Sequence, residues 1–161
     1  MNAIDMTSAA APQTISLIGA QQNDLLRALS RDDLVALFGD LELVALPAGK
    51  HLFDYGDKVD YAYFPTNAIV SLQYVMEDGA TTEIAVVGRE GVVGVALYPT
   101  ERASFSAVVQ TAGYGYRLRT DVLRDAFYTG GPLAQRAANC DSSAERAYSV
   151  LSTAIFCLCN A

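Results

Sequence analysis

The chain has 161 residues, 52% of them hydrophobic and 18% charged, a balance that suits one well-filled globular domain and excludes a disordered chain. Its formal net charge is −7, so it holds no excess of cations to replace the counterions around a nucleic-acid backbone. From Arg117 onward five arginines face four acids, which is +1 and leaves −8 on residues 1–116; neither part is a basic patch. No apolar run approaches the roughly 18 to 20 residues that span a membrane. Residues 1–22 lack the charged start and compact apolar centre of a secretory leader. They are expected to form a flexible arm, and the protein to be cytoplasmic with no membrane partner. Three cysteines, an odd number, fit reduced thiols better than a disulfide framework.

After the arm, Asn23-Asp24 predicts a capped helix with Leu25, Leu26 and Leu29 as its apolar residues. Ser30 predicts a second short helix, with Asp33 at the capping-box position and Leu34, Leu37 and Phe38 on one face, ended by Gly39. Strands follow over Leu41 to Leu46, His51 to Asp54 and Tyr61 to Phe64, separated by Pro47-Ala48-Gly49 and Gly56-Asp57. Two alternating apolar segments, Ala68 to Met76 and Thr82 to Val87, flank Glu77-Asp78-Gly79. An Asp-Gly between such runs is a strong hairpin signal. A glycine-punctuated apolar run, Val86 to Leu97, comes next, then strands over Ser104 to Thr111 and Tyr114 to Leu118. Short strands with a turn every 8 to 12 residues predict a mainly β sandwich or barrel with flanking helices.

The period then changes. Thr120-Asp121 caps a short helix through Phe127, Gly130-Gly131 breaks it, and Pro132 suits a new first turn. From there Leu133, Ala137, Cys140, Ala144, Ala147, Leu151, Ala154 and Leu158 fall at alternating steps of four and three, the spacing of a coiled-coil seam. One reading is an amphipathic helix packed on its own β-domain. The favoured one is a dimerisation helix over residues 132–159, because small seam residues let two helices approach closely. The expected division is therefore an arm at 1–22, a β-domain with its helices at 23–128, and the dimer helix at 132–159.

Catalytic signals are poor, and no enzyme is expected. His51 is the one histidine, at the start of a strand, so a metal site needing several convergent ligands cannot be built on imidazoles. There is no Gly-x-Ser-x-Gly and no P-loop. Cys157 and Cys159 are two apart, which on a helix turns them to opposite sides. Cys140 falls on the seam, where a parallel dimer would bring it near its twin; an inert buried thiol and a redox-sensitive disulfide both fit that position. Gly88-Arg89-Glu90-Gly91 and Gly94 read as tight turns and close backbone approach rather than a phosphate cradle.

Leu41-Glu42-Leu43 before Pro47-Ala48-Gly49, then Tyr63-Phe64-Pro65-Thr66, Met76-Glu77-Asp78-Gly79 and Val87-Gly88-Arg89-Glu90-Gly91, together resemble the sensory domain of the Crp/Fnr transcription regulators. That resemblance implies a β-roll (jelly roll) related to cyclic-nucleotide-binding domains, covering roughly Asn23 to Cys159. It also implies a phosphate-binding cassette, in which a Gly-Glu holds the ribose hydroxyl and a later Arg pairs with the cyclic phosphate through its planar fork. Here the Gly-Glu position reads Gly94-Val95 and the Arg-Ser-Ala position reads Phe105-Ser106-Ala107. Valine cannot accept from a hydroxyl, and phenylalanine cannot neutralise a phosphate. Arg102, three residues earlier, is the one substitute available.

No cofactor and no tight binding of cAMP or cGMP are expected, and the sequence names no other effector. Relatives carry a helix-turn-helix after the dimer helix, whereas this sequence ends at Asn160-Ala161; DNA binding is not expected of the chain alone. The expected role is a non-catalytic sensory domain that forms homodimers and biases a transcription regulator. The alternative is a stand-alone dimerising interaction module, a dominant-negative partner of full-length relatives.

Overall fold

In the computed structural model residues 16–76, 78–95 and 102–128 are described. Three short capped helices open the fold. Ser16 caps α1 (Leu17–Ala20), its hydroxyl accepting from the Gly19 N–H at 2.9 Å. Asn23 caps α2 (Asp24–Arg27), its carboxamide oxygen accepting from the N–H groups of Leu25 at 3.0 Å and Leu26 at 3.3 Å. Ser30 caps α3 (Arg31–Phe38), accepting from the Asp33 N–H while its hydroxyl donates to the Asp33 carboxylate. Each side chain satisfies donors that a helix start leaves without partners. The two helices expected at Asn23 and Ser30 are present. Of the arm expected over 1–22, residues 1–15 lie outside the described residues, whereas Ala20 is fully buried and Leu17 packs against the same apolar cluster as the helices that follow.

The strands are β1 (Glu42–Leu46), β2 (His51–Phe53), β3 (Tyr61–Pro65), β4 (Ile69–Val75), β5 (Thr81–Val87), β6 (Ser106–Thr111) and β7 (Gly113–Arg119). They form two antiparallel sheets, one in the order β1-β7-β3 and one in the order β2-β6-β4-β5. The helix α4 (Thr120–Tyr128) continues directly from β7. β4 and β5 make the expected hairpin. Met76 N–H donates to the Ala80 carbonyl at 2.8 Å, Gly79 N–H donates back to Met76, and Gly79 takes the left-handed φ of +85° that the turn requires.

Strand periodicity of two divides the apolar residues between two cores. Ala62 and Phe64 of β3 and Tyr116 and Leu118 of β7 pack with Leu25, Leu26, Leu34 and Leu37 of the helices and Leu123 of α4. Tyr63 of β3 and Leu46 of β1 belong to a second core with Val70, Leu72, Ala107 and Val109 of the other sheet. The three-stranded sheet is therefore buried on both faces and the four-stranded sheet on one. Each fully buried Leu or Phe contributes about 1.5 to 3 kcal/mol to holding these layers together. The fold is mainly β, with a few short helices, as expected. The seam residues Leu133, Ala137, Cys140, Ala144, Ala147, Leu151, Ala154 and Leu158 lie outside the described residues.

Candidate functional site

The segment between β5 and β6 carries the residues singled out from the sequence, and its two ends are held differently. At its start, Gly88-Arg89-Glu90-Gly91 is a tight turn. Glu90 Oε1 accepts from the Gly88 N–H at 2.7 Å, and the Gly91 N–H donates to the Gly88 carbonyl at 3.3 Å. The turn is tied to the helices by Asn23, whose Nδ2 donates to the carbonyls of Gly91 at 3.0 Å and Pro65 at 2.9 Å. Asp24 adds its own N–H to the Arg89 carbonyl at 2.8 Å. Asn23 is fully buried, and the four hydrogen bonds use both its amide protons and its oxygen.

Beyond the turn the chain runs against β3. Val93 exchanges two backbone hydrogen bonds with Tyr63, at 2.7 and 2.9 Å. Val93 faces the core between the sheets, whereas Val92 and Val95 pack into the helical core. Between them Gly94 has φ +89°, and a Cβ added there would lie 2.6 Å from the Tyr61 carbonyl and 3.1 Å from Val59 Cγ1. Only glycine fits that crossing.

The far end returns along the loop before β3. The Ala103 N–H donates to the Asp57 carbonyl at 2.9 Å, and the Gly56 N–H donates to the Ala103 carbonyl at 2.8 Å. Phe105 then turns into the core between the sheets, 2% exposed, with its ring centroid 6.1 Å from that of Phe53 and tilted by 55°. Ser106 Oγ accepts from the Tyr55 N–H at 3.0 Å, and Ala107 is fully buried opposite Leu72 and Phe53. Arg102 is exposed and donates from Nη1 to the Gly56 carbonyl at 3.4 Å.

Residues 43–129, just over half of the chain, match the family model of the cyclic nucleotide-binding domain. The chain belongs to that family. Among solved structures, the N-terminal domain of a transcriptional regulator from Streptomyces coelicolor A3(2) is similar at 24% identity and a TM-score of 0.58, over 81% of this chain and 91% of that one. The regulatory domain of Toxoplasma gondii PKA, solved with cAMP, is similar at 18% identity and a TM-score of 0.58, over 68% and 42%. The regulatory subunit of a cAMP-independent protein kinase A from Trypanosoma brucei is similar at 16% identity and a TM-score of 0.58, over 73% and 47%. These likenesses show the shared fold, and the chain spans less than half the length of either kinase subunit. No curated protein sequence matches the chain.

A cyclic nucleotide-binding domain that holds its ligand through a carboxylate and a guanidinium needs both at the cassette. From Gly94 to Ala107 this chain has one cation, Arg102, and one carboxylate, Glu101. Val95 and Phe105 do not converge on one space, because each is packed into a different core. Neither side chain can pair with a ribose hydroxyl or a phosphate; residues 96–101 of the cassette lie outside the described residues. Every buried side-chain nitrogen or oxygen among the described residues has a hydrogen-bond partner. Among the described residues no cluster of three His, Cys, Asp or Glu could hold a metal; His51 is exposed and pairs with Asp54 at 2.7 Å. No described helix is long and apolar enough to cross a membrane.

One ionic feature of this domain escaped the sequence reading. Glu42, Arg117 and Tyr63 are neighbours across β1, β7 and β3. Arg117 bonds Glu42 through Nε at 2.7 Å and Nη2 at 2.6 Å, and its guanidinium carbon lies 4.3 Å over the ring of Tyr61. The Glu42 bond raises the arginine's pKa further, and burial raises that of Tyr63 against the opposing pull of Arg117. Three strands are clamped by one side chain. The signal available in the sequence was charge opposite charge, but it needs the register to be known first.

Proposed function

We propose that the chain is a non-catalytic sensory domain of a Crp/Fnr-type transcription regulator, one that does not bind cAMP or cGMP tightly. The burial of Phe105 at the cassette's arginine position carries this reading. A cassette that waits for an anionic ligand keeps a cation at that position, where water can solvate it until the ligand arrives. A buried anion facing Phe105 instead would lack a partner and cost several kcal/mol. The transcriptional role is supported by the family match, by the similarity to the Streptomyces N-terminal domain and by the motifs from Tyr63 to Gly91.

The route for a signal lies in the helical core. Val95, at the start of the cassette, belongs to the same cluster as Leu123 of α4, with Val122 and Ala126 packed against it. A shift of the cassette therefore moves the apolar seat of α4, the element that leads to residues 132–159. In this proposal those residues form the homodimer helix, and the two positions of α4 are the bistable element that an effector biases. Reading DNA belongs to a domain outside these residues.

The stand-alone interaction module stays as the second reading for one reason. Tyr74, Val75, Met76, Ile84 and Val86 on the β4–β5 hairpin are all more than a third exposed.

The test is a fusion of the chain to a DNA-binding domain that represses a reporter only as a dimer. Repression that is lost when residues 132–159 are deleted is the expected result. A soluble fusion that never represses would overturn the dimer, and with it the regulatory reading.

A further inference from the structure

We propose that β5 is a self-association edge: two copies of the chain pair antiparallel along Thr81–Val87 and join their four-stranded sheets into one of eight strands. The pairing draws on no cassette residue and does not need residues 132–159. β5 ends the order β2-β6-β4-β5, and at seven residues it is the longest edge strand among the described residues. One side of its backbone bonds β4; among the described residues no other backbone group bonds it. β4 in turn pairs with β6 only from Ile69 to Gln73, so Tyr74 and Val75 have β5 as their one neighbouring strand. The outer half of the hairpin is thus a two-stranded ribbon, marginal in water until another strand or a packing surface joins it. Exposed apolar residues gather on the same hairpin. Of nine such large side chains among the described residues, five are Tyr74, Val75, Met76, Ile84 and Val86.

The charges and the register of β5 point to a second copy as the occupant. Edge strands are commonly kept single by lysine, proline, a charge or a bulge. Thr81–Val87 has no lysine, arginine or proline, and its one acid is engaged on its own sheet. Glu83 Oε2 accepts from Ser71 Oγ at 2.5 Å and from Gln110 Nε2 at 3.3 Å. Leu72 faces Ala85 and Gln73 faces Glu83, so Ile84 is the extra residue of a bulge. A twofold axis through Ile84 places that irregularity at the centre of the pairing in both copies. Each Ile84 then meets its twin, Glu83 lies opposite Ala85, and Thr82 lies opposite Val86. No like charges are set directly across from one another, and the exposed apolar residues of the two hairpins form one band. The contact is isologous and closes at two copies, because the other edge of the sheet, β2, has three residues and a shifted register. The seam residues at 132–159 recur at helical spacing, a period that does not suit a strand partner.

The test is disulfide trapping in the full chain, oxidised with diamide. Ile84→Cys puts two thiols at directly opposed antiparallel positions, about 4.5 to 5.5 Å apart at Cα, a span that a disulfide bridges. Val86→Cys is as exposed, but its two copies lie roughly 13 Å apart along the strands and cannot be bridged. No lysine or arginine lies between Lys58 and Arg89, so trypsin releases 59–89 as one peptide that holds no native cysteine. A linked pair of that peptide therefore reports this contact alone. The expected result is a linked pair from Ile84→Cys and none from Val86→Cys. Ile84→Lys, which opposes two ammonium groups at the axis, gives a second readout by amide hydrogen exchange. Exchange over 81–87 is expected to rise about tenfold while 69–75 keeps its protection. No linked pair from Ile84→Cys, or equal yields from the two cysteine variants, would overturn the proposal. Unchanged exchange in Ile84→Lys would overturn it too, leaving the edge to solvent or to some other strand. A fusion that fails to repress while the linked pair persists would sink the helix dimer alone; repression without the linked pair would sink the β5 pairing alone.

Discussion

The two ends of the cassette are built from the same kind of residue and wired to different parts of the molecule. Val95 is buried among the helices, in a cluster with Leu26, Leu34 and Leu123. Phe105 is buried between the sheets, in a cluster with Phe53, Leu72 and Val109. At Gly94, whose φ of +89° and lack of a Cβ let the chain pass close to the Tyr61 carbonyl, Val93 and Val95 are sent to opposite cores. One end can report to α4, and the other fixes where the cassette rests. The contact with the α4 cluster and the contact with Phe53 thus belong to different cores, and a substitution can address one at a time.

Substitutions at the two ends should therefore differ in place as well as in size. Phe105→Ala is expected to have the largest effect, about 3 to 5 kcal/mol of unfolding free energy, the usual range for an aromatic ring lost from a packed core. Urea denaturation followed by tryptophan-free probes such as far-ultraviolet circular dichroism checks it; a loss below about 1 kcal/mol would mean the site collapses freely. Asn23→Ala comes next, at about 2 to 3 kcal/mol, because it removes a helix cap and also leaves the buried carbonyls of Pro65 and Gly91 without their donor. Asn23→Ser keeps a capping oxygen and loses the donors to Pro65 and Gly91, so it should recover part of the stability; no recovery would show that the cap was not the main part.

Val95→Ala is expected to cost about 2 kcal/mol, from two methyl-sized groups leaving a buried position. Its signature is the place of the change: faster exchange in α4, with 102–107 unaffected, the reverse of Phe105→Ala. Loosening at 102–107 instead would dissolve the distinction between the two ends. The smallest effect belongs to the start of α4. The Arg119 guanidinium bonded to Asp121 holds that carboxyl below the usual carboxylate range. A depressed carboxylate pKa contributes stability that is present above the unfolded value and is lost as pH falls through the folded one. Asp121→Asn should thus lower thermal stability slightly at neutral pH, and the difference should begin to shrink only as pH falls below the unfolded carboxylate value of about 4. Both groups are exposed, so 1 M salt should shrink the difference.

Much of the fold was legible because local chemistry decides it. The turn at Asp78-Gly79, the caps Asn23 and Ser30 and the alternation in β4 each need only a few neighbouring residues. Strand ends were less legible. β7 starts at Gly113 and contains Gly115, although glycine weakens strands, because an added Cβ would meet Ala68 N at 2.6 Å and the Phe64 carbonyl at 2.9 Å. That demand comes from strands distant in sequence. The helix α1 was missed because a four-residue element is too short to show a period. Its cap, Ser16, is the only local sign of it. For the cassette, the residue types were readable and their directions were not. Val95 and Phe105 could be placed at two positions of one cassette; the positive φ at Gly94, which sends Val95 to the other core, cannot be counted from spacing. The second bond pair of Asn23 is hidden for the same reason, since Pro65 and Gly91 come near it only in the folded chain.

The proposed function requires that the cassette not hold an anionic nucleotide tightly. A calorimetric titration of the purified protein with cAMP, and then with cGMP, measures that alone. No saturable heat at micromolar ligand is the predicted result, because Phe105 occupies the position that would have to neutralise the phosphate. Saturation at micromolar cAMP would contradict it and would show that Arg102 or backbone donors take over the role of the absent guanidinium.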